Sequence, residues 1–312
     1  MKRIVSVSLG SSKRNHRAEA EIFGEKVIIE RIGTDGDYDK VIETIKELDG
    51  KVDAFGMGGI DLYLRWADKV YTIKDAVPIK EAANISPIVD GSGLKNTLER
   101  RAIRYINKNI MPLKDKKVLM TSATDRCGMA EAFYRVGADV TYGDVIFALN
   151  IPFPVKSYRV FSMLAEIILP IAVRMPFEKL YPTGKEQDTV TTKYEKYYND
   201  AEIIAGDYLF IKKYMPENMS DKIIVTNTVT SSDVEDLRKR GVKMLITTTP
   251  EFNGRSFGTN VMEALIISLL DKRVEDVTVE DYEKMLDKLN FVPRIEYLNK
   301  DIELHKKAEG YK

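Results

Sequence analysis

Asp90 stands between Val89 and the turn Gly91-Ser92-Gly93, and Leu94 to Arg100 continue as a helix. A carboxylate at that place can meet a polar substrate. Gly91 and Gly93 let backbone come close to a ligand, and the first turn of the helix carries unpaired N–H groups. A second polar set lies at the start of the chain. Ser6 and Ser8 alternate onto one face of a strand, and with Ser11 and Ser12 in the following loop they can hydrogen-bond a carboxylate or polyol.

Further along, Thr121-Ser122-Ala123-Thr124-Asp125-Arg126-Cys127-Gly128 links a strand to a helix. Hydroxyls and backbone N–H groups at a helix start can hold phosphate. Arg126 adds charge, Gly128 fits close helix–strand packing, and Asp125 either caps the helix or faces away. Asp144 follows Gly128 by 16 residues, near where an acid accepts ribose hydroxyls and disfavours a 2′-phosphate. Thr226-Asn227-Thr228 and Thr247-Thr248-Thr249 end two later strands. Gly258 sits in the glycine-containing loop Gly254–Asn260 before another helix. All of these fall where a parallel sheet binds ligands, beyond the carboxyl ends of its strands. Each also has a plain structural use as a cap, turn or β-branched strand residue.

The elements that position these groups alternate. Strands are expected at 4–9, 18–24, 26–32, 53–57 and 70–73, with helices at 39–48 and 93–107. A second series follows: strands at 118–121, 139–142, 203–205, 223–226 and 244–247, with helices at 128–136, 233–240 and 259–270. That rhythm predicts an α/β protein. A small N-terminal α/β domain over 1–112 precedes a Rossmann-like, doubly wound parallel-sheet domain over 113–272. Residues 145–200 interrupt the second series with an apolar segment, Val160 to Val173, that fits a buried or dimer-forming helix or a lid. Residues 273–312 form a tail whose helix is capped by Thr278 with Asp281 three positions on.

Lysine plus arginine equals aspartate plus glutamate, 48 each, so no basic excess is available to hold a nucleic-acid backbone. One cysteine, Cys127, and two histidines leave no disulfide framework and no metal-ligand cluster. The apolar segment is too short for a bilayer and no signal peptide is evident. A cytoplasmic location is therefore expected.

The stretch Asp90-Gly-Ser-Gly-Leu94 with Leu98-Glu99 resembles the Asp-Gly-x-Gly-Phe…Leu-Glu motif of the shikimate/quinate dehydrogenase family. Thr226 to Leu245, Gly258 to Leu265 and the loop from Ser8 to His16 are similar to further segments of that family, in the same order. The resemblance implies hydride transfer between a ring hydroxyl of a small hydroxy acid and NAD, or NADP. It makes Asp90 the group that orients the hydroxyl and a lysine its proton partner: Lys74, with Lys95 as the alternative. The family's Asn-Val-Thr-x-Pro-x-Lys motif is missing, and the dinucleotide glycines are largely replaced. The alternative reading is a non-redox Rossmann-like protein that binds another nucleotide or an apolar small molecule. A third is a ligand-binding module without catalysis.

Overall fold

The computed structural model describes residues 1–67, 69–176, 191, 193–249, 251–252, 255–256, 258–270 and 272–299. The chain divides into two compact units. One comprises Met1–Thr97, Ala165–Gln187 and Phe257–Phe291; the other comprises Leu98–Leu164, Asp188–Ser256 and Val292–Lys312. The expected consecutive division at 112 and 272 is thus replaced by an interleaved one. The helix at 259–269, expected in the second domain, belongs to the first unit.

In the first unit the strands are β1 (Lys2–Ser8), β2 (His16–Ile22), β3 (Glu25–Gly33), β4 (Ala54–Gly58), β5 (Tyr63–Trp66), β6 (Lys69–Thr72) and β7 (Ile88–Val89). Helices α1 (Tyr38–Leu48) and α2 (Val77–Lys80) lie between them, and α3 (Ser92–Asn109) follows. Strand order is β2-β3-β1-β4-β7, parallel except for β2, while β5 and β6 form a separate hairpin. Ile4 to Ser8 are buried without alternation, the pattern of a strand covered on both faces. Phe23 and Gly24 both have positive φ, which closes the β2–β3 hairpin with the twist its strands need.

In the second unit come β8 (Lys117–Met120), α4 (Cys127–Arg135), β9 (Asp139–Tyr142), α5 (Asp144–Phe147), α6 (Tyr158–Ala172, which begins here), α7 (Glu195–Asp200) and β10 (Ile203–Ala205). Then follow α8 (Tyr208–Tyr214), β11 (Ile223–Thr226), α9 (Ser231–Lys239), β12 (Met244–Thr247) and the short ribbon β13 (Glu251–Phe252) and β14 (Arg255–Ser256). The chain then re-enters the first unit with α10 (Thr259–Leu269) and α11 (Val279–Lys288) and closes with β15 (Arg294–Tyr297) in the second. The second sheet runs β15-β12-β11-β10-β8-β9, parallel but for β15. Leu119, Ile204, Ile224 and Leu245 are in register across four of its strands and form one apolar row of the core. The doubly wound α/β class read from the sequence is what the structure has. The strand β15 was not legible, because Arg294-Ile-Glu-Tyr297 lacks apolar alternation strong enough to mark it.

Helix α6 buries Phe161, Ala165 and Leu169, with Val173 buried just past its end, and leaves Met163 and Ile167 about two-thirds exposed, at 66% and 64%. The sequence Tyr181-Pro182-Thr183-Gly184 predicts a turn, which lies outside the described residues. Among the described residues no helix is long and apolar enough to cross a membrane. The capping box at Thr278 is present, with Asp281 N–H donating to Thr278 Oγ1 at 3.2 Å.

Candidate functional site

Helix α10 reads Thr-Asn-Val-Met-Glu-Ala-Leu-Ile-Ile-Ser-Leu, apolar on nearly every side and therefore made for burial. It packs on β4, β1 and β7. A side chain on Gly56 or Gly91 would forbid that approach. A Cβ at Gly56 would lie 2.9 Å from Asn260 O. One at Gly91, where φ is +95°, would lie 2.6 Å from Asn260 N. The glycine expected to admit a ligand thus admits a helix. Asn260 also donates from Nδ2 to Ser6 Oγ at 2.9 Å.

The one charged residue of α10, Glu263, is 3% exposed. Its Oε1 accepts from Tyr282 Oη of α11 at 2.5 Å, and the nearby Gly91 N–H eases the carboxyl's charge without closing a hydrogen bond. Its Oε2 has no hydrogen-bond partner. Burial, and then the Asp90 charge, push the Glu263 carboxyl up to about 7. Asp90, 7% exposed, is saturated by contrast. Oδ2 accepts from the N–H groups of Leu62 (2.7 Å) and Tyr63 (2.9 Å), and Oδ1 from Ser92 N–H (3.0 Å) and Ser92 Oγ (2.8 Å). Asp90 therefore fastens the start of β5. That strand carries Arg65, whose guanidinium lies 5.7 Å from the Tyr63 ring centroid and whose buried Nε has no hydrogen-bond partner. Arg65, Asp90, Ser92, Glu263 and Tyr282 line one cavity of about 960 Å³ beside the edge strand β7.

The other residues read from the sequence are placed as follows. Lys74 is exposed in a 3₁₀ turn, and no ion pair joins it to Asp90. Lys95 pairs with Asp61 at 2.9 Å. Ser8 Oγ accepts from Gly10 N–H (3.1 Å) and Arg31 Nη2 (3.0 Å). Ser11 Oγ accepts from Lys13 N–H at 3.2 Å, while Ser12 N–H donates to Asp35 at 2.7 Å. The serines are thus spread over turns and neighbouring strands and do not converge on the cavity.

In the second unit the turn after β8 is closed upon itself. Asp144 accepts from the N–H groups of Ala123 (3.0 Å) and Thr124 (2.9 Å) and from Thr124 Oγ1 (2.6 Å). Arg126 is ion-paired to Glu99, Asp125 and Asp207 at 3.1, 3.1 and 2.7 Å. Thr121 Oγ1 donates to Ala205 O (3.3 Å), and Ser122 Oγ accepts from Asp207 N–H (3.0 Å). Thr226 Oγ1 donates to Gly206 O (2.9 Å), and Asn227 holds Asp207 Oδ2 (2.8 Å). Thr228 is half-buried beside them, Gly128 is buried inside α4, and Gly258 is the N-cap of α10 in the first unit. The residues do not fit a dinucleotide: the N–H groups a pyrophosphate needs are held by Asp144, the acid assigned to the ribose. Among the described residues no group of three or more His, Cys, Asp or Glu is placed to hold a metal ion.

Sequence reasoning missed Glu263, Arg65 and Tyr282. A usable signal existed: a lone acid in an eleven-residue apolar helix must be buried, and a buried acid demands partners.

These features define a protein of two doubly wound α/β units, the first with a polar cavity beside its edge strand. The chain belongs to the family of DUF8754, a domain of unknown function, whose model matches residues 93–298; residues 3–90 match DUF8753, another domain of unknown function. A search of curated proteins finds no match. Solved structures with similarity include the substrate-binding protein of a sugar ABC transport system from Bordetella parapertussis 12822 (10% identity, 86% of this chain and 78% of that one, TM-score 0.37). A galactofuranose binding protein is also similar (10% identity, 99% of each chain, TM-score 0.37). So is the periplasmic binding protein component of the arabinose ABC transporter from Shewanella sp. ANA-3 (9% identity, 92% and 95%, TM-score 0.34).

The expectation of a nicotinamide-dependent oxidoreductase is corrected. Within the chain, Asp90 has all four of its acceptor sites filled by backbone and Ser92, Lys74 does not reach it, and Asp144 closes the turn assigned to the cofactor.

Proposed function

We propose that this chain is a non-catalytic binding protein for a small polyhydroxyl molecule, held in the cavity beside β7. The observation that carries the reading is a pair of buried polar atoms of opposite kind. Arg65 Nε is a donor and Glu263 Oε2 a carboxyl oxygen, both lack a hydrogen-bond partner, and both residues line one cavity. A buried polar group left unpaired costs about 1–3 kcal/mol, so such a pair marks where a ligand recovers energy. A hydroxyl both donates and accepts, so a polyol can meet both kinds of group. The lining mixes Arg65, Lys80, Lys272 and Arg273 with Asp90, Glu263 and Glu275, a balance of donors and acceptors that suits a neutral polyol. Asp90 and Ser92 support the site by holding β5 and the start of α3 in place.

Calorimetric titration with neutral pentoses, hexoses and alditols tests the proposal. Galactofuranose and arabinofuranose, the sugars of two of the structures above, start the panel. The expected outcome is binding of at least one member, weakened tenfold or more by Arg65→Met. Binding that is unaffected by Arg65→Met, or no binding across the panel, sinks the proposal.

A further inference from the structure

Glu263 is the most constrained ionisable group of the cavity. On its own helix α10 it has no charged neighbour. From the end of β7 it faces the Asp90 carboxylate, from β5 the Arg65 guanidinium and from α11 the Tyr282 hydroxyl. Strand β4 brings no charge, and the charges of β1, Lys2 and Arg3, are paired with Asp53 and Glu30 at 3.3 and 2.9 Å. At the cavity rim Lys272 and Arg273 are paired with Asp281 and Asp276 at 2.7 and 2.9 Å, with Lys80 and Glu275 beyond. Two carboxyls thus share one pocket. Asp90 accepts four hydrogen bonds, whereas Glu263 is buried with one oxygen unmet and is pushed up by that burial and by its neighbour, so Glu263 is the carboxyl of the two that takes up a proton.

That proton changes what the cavity can hold. With it, Glu263 donates, and so does Arg65; the two together suit an acceptor such as a ligand carboxylate. Without it, Glu263 accepts and repels a carboxylate, yet still takes a hydroxyl.

We propose that Glu263 is the specificity-determining residue of this cavity, admitting carboxylate-bearing polyols when protonated and only neutral polyols when ionised. The inference rests on the polyol-binding reading above. The burial that raises Glu263 to about 7 places the change within ordinary working pH.

The test is calorimetry of the full chain at pH 6 and pH 8 with matched pairs: D-glucose and D-glucuronate, D-galactose and D-galacturonate. The acid members are ionised throughout this range. The protonated fraction of Glu263 falls from about nine-tenths to about one-tenth between the two pH values. The acid member should therefore bind about tenfold more weakly at pH 8, while its neutral partner changes little. In Glu263→Gln, which keeps shape and a fixed N–H donor, the acid should bind with no pH dependence. A pH dependence that persists in Glu263→Gln overturns the selector role and leaves the polyol site standing; so does a neutral sugar that binds while its acid fails to bind at pH 6. Failure of every pair, neutral members included, removes the polyol site itself. Independently of any variant, the carboxyl ¹³C shift of Glu263 in the wild-type chain should titrate near pH 7; a midpoint near 4.5 overturns the inference.

Discussion

The end of β7 in the first unit and the ends of β8 and β10 in the second carry the same kinds of side chain: acids, hydroxyls and one arginine beside a helix start. Beside those strand ends in the second unit three acids have each found a donor within the protein. Asp144 holds a turn, Asp207 caps α8 and Glu99 meets Arg126. In the first unit Asp90 is equally satisfied, but Glu263 and Arg65 each keep an unmet atom beside a cavity. The difference teaches that residue type at a strand end is a poor guide to ligand binding. What separates structure from function is whether the hydrogen-bonding capacity is used up internally.

The comparison can be broken most severely through Arg126. Arg126→Met would strand Glu99, Asp125 and Asp207 around an apolar side chain. A loss of about 3–5 kcal/mol is expected from an uncompensated buried ion cluster, read by urea denaturation. Under conditions where the variant stays folded, polyol binding in the first unit should be unchanged. A stable variant would mean that this cluster is not the structural keystone claimed.

Next comes Gly91→Ala. A side chain there meets Asn260 and a φ of +95°, so about 2–4 kcal/mol should be lost. A ligand role for Gly91 would instead show as weakened binding at unchanged melting temperature.

Glu263→Gln should act with the opposite sign. The folded-state carboxyl titrates near 7 and the unfolded one near 4.5. The native state therefore binds the extra proton between those values, and wild-type stability falls as pH rises through that window. The full penalty, about 3 kcal/mol, is present above pH 7. The amide avoids it, so the variant should gain on the wild type from pH 5 to pH 8. Parallel stability–pH curves would show that Glu263 does not titrate as described.

The smallest effect is expected at Asp144→Asn. The amide keeps one acceptor but loses charge at a turn that donates three hydrogen bonds, which costs about 1–2 kcal/mol. Polyol affinity should not move. A change in affinity would erase the contrast between the two regions.

Much of this protein was written in its sequence. Periodicity placed ten of the fifteen strands and most of the longer helices within a few residues, because alternation and helical spacing are local consequences of which face is buried; the two- to four-residue strands β5, β7, β13, β14 and β15 and the short helices α2, α5, α7 and α8 are too brief to show a period. The hairpin at Gly24 and the capping box at Thr278 were legible for the same reason: their hydrogen bonds close within a few residues. What the sequence could not decide was which partners each polar residue would meet. Asp144 reaches back to Thr124, Asp207 to Arg126, and Glu263 on α10 is met by Tyr282 of α11. Those pairings span tens of residues, and only the packed fold brings them together. Since a carboxylate is a cap, a clamp or a binding group according to the donors around it, its role was settled by tertiary contact rather than by its neighbours in the chain.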